Sequence, residues 1–469
     1  MGAWGGGGKS SRDRAAAPRP DRRRDGPAGA RGAGRRLSSP PVTPDLALLF
    51  RIASGVTLVG VPLFALRTRG RPYALYALVT LGFAMPGAVA TQALLSAALP
   101  GPWRPAVDAF FLWGALATLA HFVHLARARL RSRPYRVLVS IPAQAFVAAS
   151  FLAGLFQLAL LPLRGLLVAI DAPAALAALR WLDALPYAVA LASIVTSARP
   201  RREWVRVQVG SDGPSELRRA PALRRRRPGA APARADGDRL LRIVQIADPH
   251  LGPWQSVRRM QRRIERLLAQ EPDLVLLTGD FLTMEGHGSP GALAIAFEPL
   301  RAAAGRCYAI FGNHDHEAPE EVRTALATNG VRLLVDEEAL ATTPAGPVQI
   351  LGADWATRER RARLEALLAR HPRRAGCLRL LLLHDPSGFH DLPDGAVDLV
   401  LSGHTHGGQI GLVSLGLDWT VLSRSRWPDH GLFARGASRL YVHRGTGFYG
   451  FPLRLGVPGE LSVLEVVMP

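Results

Sequence analysis

The residues of this 469-residue chain that can do chemistry fall in five short blocks of its C-terminal half. They are Asp248 and His250 in Asp-Pro-His, Asp280 in Gly-Asp, Asn313 in Gly-Asn-His-Asp, His384 in His-Asp-Pro, and His404 and His406 in Gly-His-Thr-His. Each block closes an apolar run: Leu240 to Ala247, Leu274 to Thr278, Cys307 to Phe311, Leu378 to Leu383 and Val397 to Leu401. Runs of this length read as buried strands. Residues beyond the strand ends of an open α/β sheet converge on one crevice. Two Asp, one Asn and four His make a mixed oxygen and nitrogen donor set, suited to divalent Mn, Fe, Zn or Co. The set is too rich for one ion, so two ions sharing a bridging carboxylate are expected. Taken singly, an Asp at a strand end is a turn or cap residue and a His is a satisfied polar group. All of them in order, each at a strand end, point to a site.

The elements that would position these residues alternate. Helical stretches lie at Val257 to Gln270, Pro319 to Asn329 and Arg358 to His371, between strand-like runs that include Val348 to Leu351. Alternation of this kind argues an α/β fold built in layers. Trp204 to Val209 alternates like an earlier strand, Leu223 to Ala235 is a basic Pro/Ala linker, and Leu440 to Val467 reads as short strands.

The N-terminal half is different. Residues 1–44 are rich in Gly, Ala, Pro and Arg without periodicity and are expected to be disordered. Leu46 to Leu66, Tyr73 to Leu99, Ala109 to Ala126 and Val137 to Leu163 are apolar and long enough to cross a bilayer. A weaker stretch, Ala174 to Ser197, reads as a fifth span or an interfacial helix, giving four or five helices over 45–198. His121 and His124 near a span end are expected to be structural. The net charge of +21 is almost all arginine, Lys9 being the one lysine. Arginine is dense in the first and third loops and sparse in the second and fourth. With five spans this places the C-terminal domain in the cytoplasm, as an integral protein of the cell membrane; the basic tail would then lie on the opposite side. Two cysteines, Cys307 and Cys377, exclude a disulfide framework and a Cys-type zinc site.

The five blocks together resemble the calcineurin-like metallophosphoesterase superfamily. His404 to Gln409, His384 to Pro386, and Tyr441, Arg444, Gly445, Arg454 and Glu460 resemble its membrane-associated branch. That branch includes transmembrane proteins with a metallophosphoesterase domain and enzymes that cleave UDP-2,3-diacylglucosamine. The resemblance implies a four-layer β-sandwich of α/β (α+β) type over 240–469, following the multi-span α-helical region and a juxtamembrane basic linker with a first strand at 199–239. It implies that Asp248, His250 and His406 hold one divalent ion. Asn313, His384 and His404 hold a second, and Asp280 bridges them. His314 would stabilise the phosphoryl charge or protonate the leaving oxygen, with Asp315 orienting its imidazole.

The chemistry implied is hydrolysis of a phosphate ester or pyrophosphate. Two cations neutralise phosphoryl oxygens and lower the pKa of a bound water, so hydroxide attacks in line without a Ser or Cys nucleophile. Fused spans make a lipid-linked substrate attractive. The alternatives are a nucleic-acid or nucleotide phosphodiesterase and a non-catalytic membrane scaffold. Against specific nucleic-acid binding, the arginines cluster around the spans and no repeat of stacking aromatics is present.

Overall fold

The computed structural model describes residues 45–210, 213–221, 223–225, 239–448, 450 and 452–468. The expected disordered tail, 1–44, and most of the basic Pro/Ala stretch lie outside the described residues. Among the described residues, four helical segments are long and apolar enough to cross a membrane: Leu46–Arg69, Arg71–Ala98, Gly101–Leu125 and Arg133–Ala169. Their helices are α1 (Leu46–Arg69), α2 (Arg71–Ala98), α3 (Arg104–Leu125), the single turn α4 (Arg133–Tyr135) and α5 (Ile141–Ala169). Asp45 caps α1, its carboxylate accepting from Leu48 N at 3.1 Å. On α1, Leu48, Ile52, Val56, Val59 and Leu63 are exposed along one helical stripe, the face that lipid would cover. Helices α2 and α5 cross at a pair of glycines: a Cβ on Gly154 would lie 2.3 Å from Phe83 O, and one on Gly87 would lie 2.4 Å from Ser150 O.

The weaker fifth stretch is two short helices, α6 (Pro173–Leu182) and α7 (Leu185–Ala198). The break falls at Asp183, whose buried carboxylate pairs with Arg164 of α5. The same guanidinium donates to Gln157 Oε1 at 2.7 Å. Helix α7 has 14 residues, about 21 Å at 1.5 Å each, which is short of a hydrocarbon layer about 30 Å thick.

Only Arg199 and Pro200 separate α7 from β1 (Arg201–Gln208), which pairs in parallel with the last strand, β14 (Glu460–Val467). Thus the first strand of the expected linker is part of the sheet. The other strands are β2 (Arg218–Arg219), β3 (Leu223–Arg225), β4 (Leu240–Ile246), β5 (Leu274–Leu277), β6 (Cys307–Ala309), β7 (Arg332–Leu333), β8 (Glu337–Thr343), β9 (Gly346–Gly352), β10 (Leu378–Leu382), β11 (Leu399–Ser402), β12 (Gly431–Arg435) and β13 (Ser438–Val442). They form two seven-stranded sheets, ordered β3-β1-β14-β4-β5-β6-β7 and β2-β12-β13-β11-β10-β9-β8.

Alternation along the strands explains the layers. Leu241, Ile243, Leu274 and Leu276 of the first sheet pack with Leu380, Leu382, Leu399 and Leu401 of the second. Val244, Ile246, Val275 and Leu277 face the other way, towards helices. Those helices are α8 (Val257–Leu268), the short α9 (Met284–His287), α10 (Ala292–Phe297) and α11 (Pro319–Thr328); α12 (Arg360–Arg370) covers the second sheet. Met260, Ile264 and Leu267 give α8 its buried face at helical spacing. The result is helix, sheet, sheet, helix, the four-layer arrangement expected.

Candidate metal centre

The two sheets deliver their parallel strand ends to one place. Strands β4, β5 and β6 are parallel neighbours, as are β10 and β11. Asp248 and His250 follow β4, Asp280 follows β5, Asn313 follows β6, His384 follows β10, and His404 and His406 follow β11. A hydrogen bond from Gln245 Nε2 to Ser402 O, 3.0 Å, ties β4 across to β11. Two groups of donor atoms result: Asp248, His250 and His406, and Asp280, His384 and His404. Asp280 Oδ2 lies between the groups, 3.2 Å from His384 Nε2 and 4.0 Å from His250 Nε2. In the first group, His250 Nε2 and His406 Nε2 are 3.1 Å apart, and His406 Nε2 is 3.6 Å from Asp248 Oδ1. Asn313 Oδ1 is buried and takes no hydrogen bond. An unsatisfied buried oxygen costs about 1–3 kcal/mol; beside these donors a divalent cation would satisfy it. The residues present therefore fit divalent metal binding.

The backbone is bent to make this possible. Asp248, His250, Asp280, His404 and His406 all have positive φ, from 47° at His250 to 70° at His404. Such conformations cost about 1–3 kcal/mol each for residues with a Cβ and gather where function needs them. Two neighbouring glycines supply space. A Cβ on Gly312 would stand 2.2 Å from Asp280 Oδ1, and one on Gly403 would stand 2.3 Å from Asp248 Oδ2.

Hydrogen bonds orient the donors. Asp248 Oδ1 and Oδ2 accept from His404 N at 2.9 and 3.1 Å. His384 Nδ1 donates to Thr278 O at 2.6 Å, which leaves Nε2 directed at the centre. The electrostatics follow from burial and crowding. Burial pushes the Asp248 carboxyl up to about 7. It pushes the imidazoles of His250 down to about 3 and of His404 down to about 4, and holds His406 well below its ordinary value. Neutral imidazoles are the ligating form. Burial works against charge at Asp280 and His384 too, but the pair overrides it: Asp280 is held well below the carboxylate range and His384 is raised to about 10.

One ligand is tied to the membrane helices. Arg454 is fully buried. Its guanidinium lies 3.0 Å from His406 Nδ1 and donates to Arg444 O and Gly447 O, both at 2.7 Å, and to His406 O at 3.2 Å. The same residue is fastened to α7: Arg454 N donates to Ser197 Oγ at 3.0 Å, and Thr196 Oγ1 donates to Arg454 O at 2.7 Å. Ser193 Oγ donates to Pro452 O, and Arg263 of α8 donates to Ala198 O.

The structure brings six of the seven expected ligand residues into the two donor groups, and Asn313 lies in the turn that meets Asp280, where His314 N donates to Asp280 Oδ1 at 2.9 Å. The Asp315 carboxylate is held by backbone amides. It accepts from Asp280 N at 2.7 Å and from Phe281 N and Gly312 N at 2.8 Å, so it locks the Gly-Asp turn to the Gly-Asn-His-Asp turn. The His314 imidazole meets Glu317, Nδ1 to Oε1 at 3.0 Å. Burial opposes its charge, yet the Glu317 hydrogen bond wins and the His314 pKa is raised. Glu317 also reaches His287, and His316 pairs with Asp354. Sequence reading missed Glu317, although an acid three residues after His314 was a signal. It also missed Trp355, whose ring stands 5.2 Å from His404 and 5.8 Å from His384, centre to centre. Nothing local in the sequence marks Trp355.

A sequence profile of the calcineurin-like phosphoesterase family matches residues 241–408. The chain is 31% identical over 238 residues to an uncharacterized metallophosphoesterase, YkoQ, of Bacillus subtilis, covering 48% of this chain and 83% of that one. It is 29% identical over 233 residues to the phosphodiesterase YaeI of Escherichia coli, covering 48% and 82%. It is 30% identical over 244 residues to a transmembrane protein with metallophosphoesterase domain of Danio rerio, covering 47% of this chain and 52% of that one. Calcineurin-like phosphoesterases use divalent metals, and the two donor groups stand where such metals would bind. With its strand-end blocks, layered sheets and relatives in agreement, this chain belongs to the calcineurin-like metallophosphoesterase family.

Proposed function

We propose that this protein is a membrane-anchored, two-metal phosphoesterase that hydrolyses a phosphate ester or pyrophosphate carried on a lipid, with its catalytic domain in the cytoplasm. The observation that carries the reading is the pair of donor groups facing one another across Asp280 Oδ2, with the unsatisfied Asn313 Oδ1 beside them. In this reading Asp248, His250 and His406 hold one ion, Asn313, His384 and His404 the other, and Asp280 both. The ions, when bound, supply charge neutralisation at the phosphoryl oxygens and lower the pKa of a water ligand. The protein's own groups do the rest. The Trp355 ring packs against both His384 and His404 and helps to fix their orientation. His314, whose pKa the Glu317 hydrogen bond raises, would give a proton to the departing oxygen.

The reading of the membrane side rests on arginine. The loop at 126–132 touches the catalytic domain, Leu130 N donating to Ser289 Oγ at 2.6 Å. Arg69, from the other arginine-rich loop, reaches Leu125 O and Met284 Sδ. Arginine-rich loops on the side of the domain support a cytoplasmic site. The test uses full-length protein in detergent, stripped of metal and reloaded with Mn²⁺, on an aryl phosphodiester, an aryl monoester and a lipid pyrophosphate. Turnover should need the metal and should be lost in Asp280→Asn. Equal rates for metal-free and metal-loaded protein would sink the proposal.

A further inference from the structure

Between the ends of the membrane helices and α8 lies a cavity of about 440 Å³ whose walls carry Arg129, Arg131, Arg133, Arg136 and Arg258. Among the described residues none of these five forms an ion pair, although Arg131 donates to two backbone carbonyls. The arginines come from two unrelated elements. Four belong to the stretch joining α3 to α5, while Arg258 projects from α8 of the catalytic domain. Two further arginines of α8, Arg259 and Arg262, join Arg133, Arg136 and Arg258 around an adjoining hollow. Burial, together with Arg136 and Arg262, holds the Arg259 pKa below its ordinary value, the strain that an anion would relieve. A smaller crevice shares the lining residues His121, Leu125, Pro253 and Glu285 with it and has His250, one of the candidate metal ligands, in its wall. Tyr76, Phe122 and Val147 of α2, α3 and α5 give that crevice an apolar membrane-side wall. At the outer lip Val137 and Leu138 are exposed, beginning the lipid-facing surface of the next span.

Arginines that merely sit at the level of lipid headgroups would point outward along one membrane element. Here they converge from both sides on a hollow that shares walls with a crevice lined by His250. Guanidinium groups bind phosphate oxygens with paired hydrogen bonds. The geometry points to a binding site for the anionic headgroup of an amphiphilic lipid, whose tails stay in the bilayer beside Val137 and Leu138 while its phosphoryl end reaches along the crevice towards His250. This assignment rests on the phosphoesterase reading for what happens at the metals, and not for binding itself.

The test is binding to full-length protein in detergent with EDTA present, by isothermal titration calorimetry. The probes are dihexanoyl phosphatidic acid and glycerol 3-phosphate, which share a phosphate but not the tails. The lipid should bind at least about tenfold more tightly than glycerol 3-phosphate, and at least about tenfold more weakly to the Arg133→Ala/Arg258→Ala double variant. Equal binding of the two probes assigns the hollow to free phosphate and overturns the lipid. No binding of either, or undiminished lipid binding by the double variant, overturns the site. Because metal and turnover are absent, an enzyme inactive on every ester overturns the proposed activity but leaves the binding result standing. With metal restored, the double variant should raise KM for a lipid phosphate ester by at least about tenfold; an unchanged KM for the lipid also overturns the site.

Discussion

Replacing Gly403 by alanine asks whether the space beside Asp248 is essential. An alanine Cβ would stand 2.3 Å from Asp248 Oδ2 and 3.0 Å from Ala247 Cβ. An ordinary carbon–oxygen contact is about 3.3 Å, so the carboxylate must retreat by about 1 Å. It cannot retreat freely, because both its oxygens accept from His404 N, the next residue along the same turn. Overpacking of this kind costs about 1–3 kcal/mol of stability, which leaves the protein folded. A displacement of about 1 Å in a positioned group costs about 10²-fold in turnover, and loss of ligand orientation costs about 10–100-fold in metal affinity. The assay is kcat on an aryl phosphodiester with saturating Mn²⁺, together with a Mn²⁺ titration of stripped protein. The control is Gly101→Ala, where a Cβ meets nothing within 4 Å, and it should match wild type. A folded Gly403→Ala protein with wild-type kcat and metal affinity would refute the reasoning.

Arg454→Lys should keep a charge but lose several of the hydrogen bonds that hold the His406 carbonyl and its neighbours; about 2–4 kcal/mol of stability and about tenfold in Mn²⁺ affinity are expected to go, read by thermal unfolding and calorimetry. Arg164→Ala leaves the buried Asp183 carboxylate unpaired and should cost about 3–5 kcal/mol, part of which Asp183→Ala in the same chain should restore; no change in Tm in detergent would contradict the ion pair. The Cys307 thiol is buried and pushed up to about 12, so below that pH it stays a protonated, shielded thiol, whereas Cys377 is partly exposed. A thiol reagent at pH 8 should therefore modify Cys377 alone in native protein and both after denaturation. Glu317→Gln removes the partner of His314 and should shift the acid-side proton donor, lowering the pH above which kcat falls, with little change in metal content.

The seven candidate ligand residues were legible because metal chemistry restricts residue type and because apolar runs announce the strands they follow. His404 and His406 follow the same strand, and that needs no tertiary knowledge. The layers were legible from alternation in runs such as Leu240–Ile246. Three things were not. The pairing of Glu317 with His314 depends on the short 3₁₀ turn that starts at Asp315, and the text of the motif suggested the neighbouring acid instead. Asp315 is consumed by three backbone amides that only the meeting of two turns brings within reach. Trp355 arrives from the end of β9, a strand in the second sheet, so its place against His384 is a fact of sheet order. In the membrane half, hydropathy showed the apolar stretches but not the break at Asp183, which depends on Arg164 19 residues away.

The two-residue connection between α7 and β1, with the Ser197, Thr196 and Ser193 bonds around Arg454, has a kinetic meaning. A domain on a loose tether explores a volume, and its catalytic centre visits the bilayer only part of the time. Here the centre is held at one height above the hydrocarbon, like a reading head over a tape. Substrates confined to the bilayer plane then meet it by two-dimensional diffusion at constant depth, and soluble esters gain nothing from the arrangement. A flexible Gly/Ser insert between Ala198 and Arg201 would turn the head into a tethered float, and the loss should fall on surface-borne substrates alone.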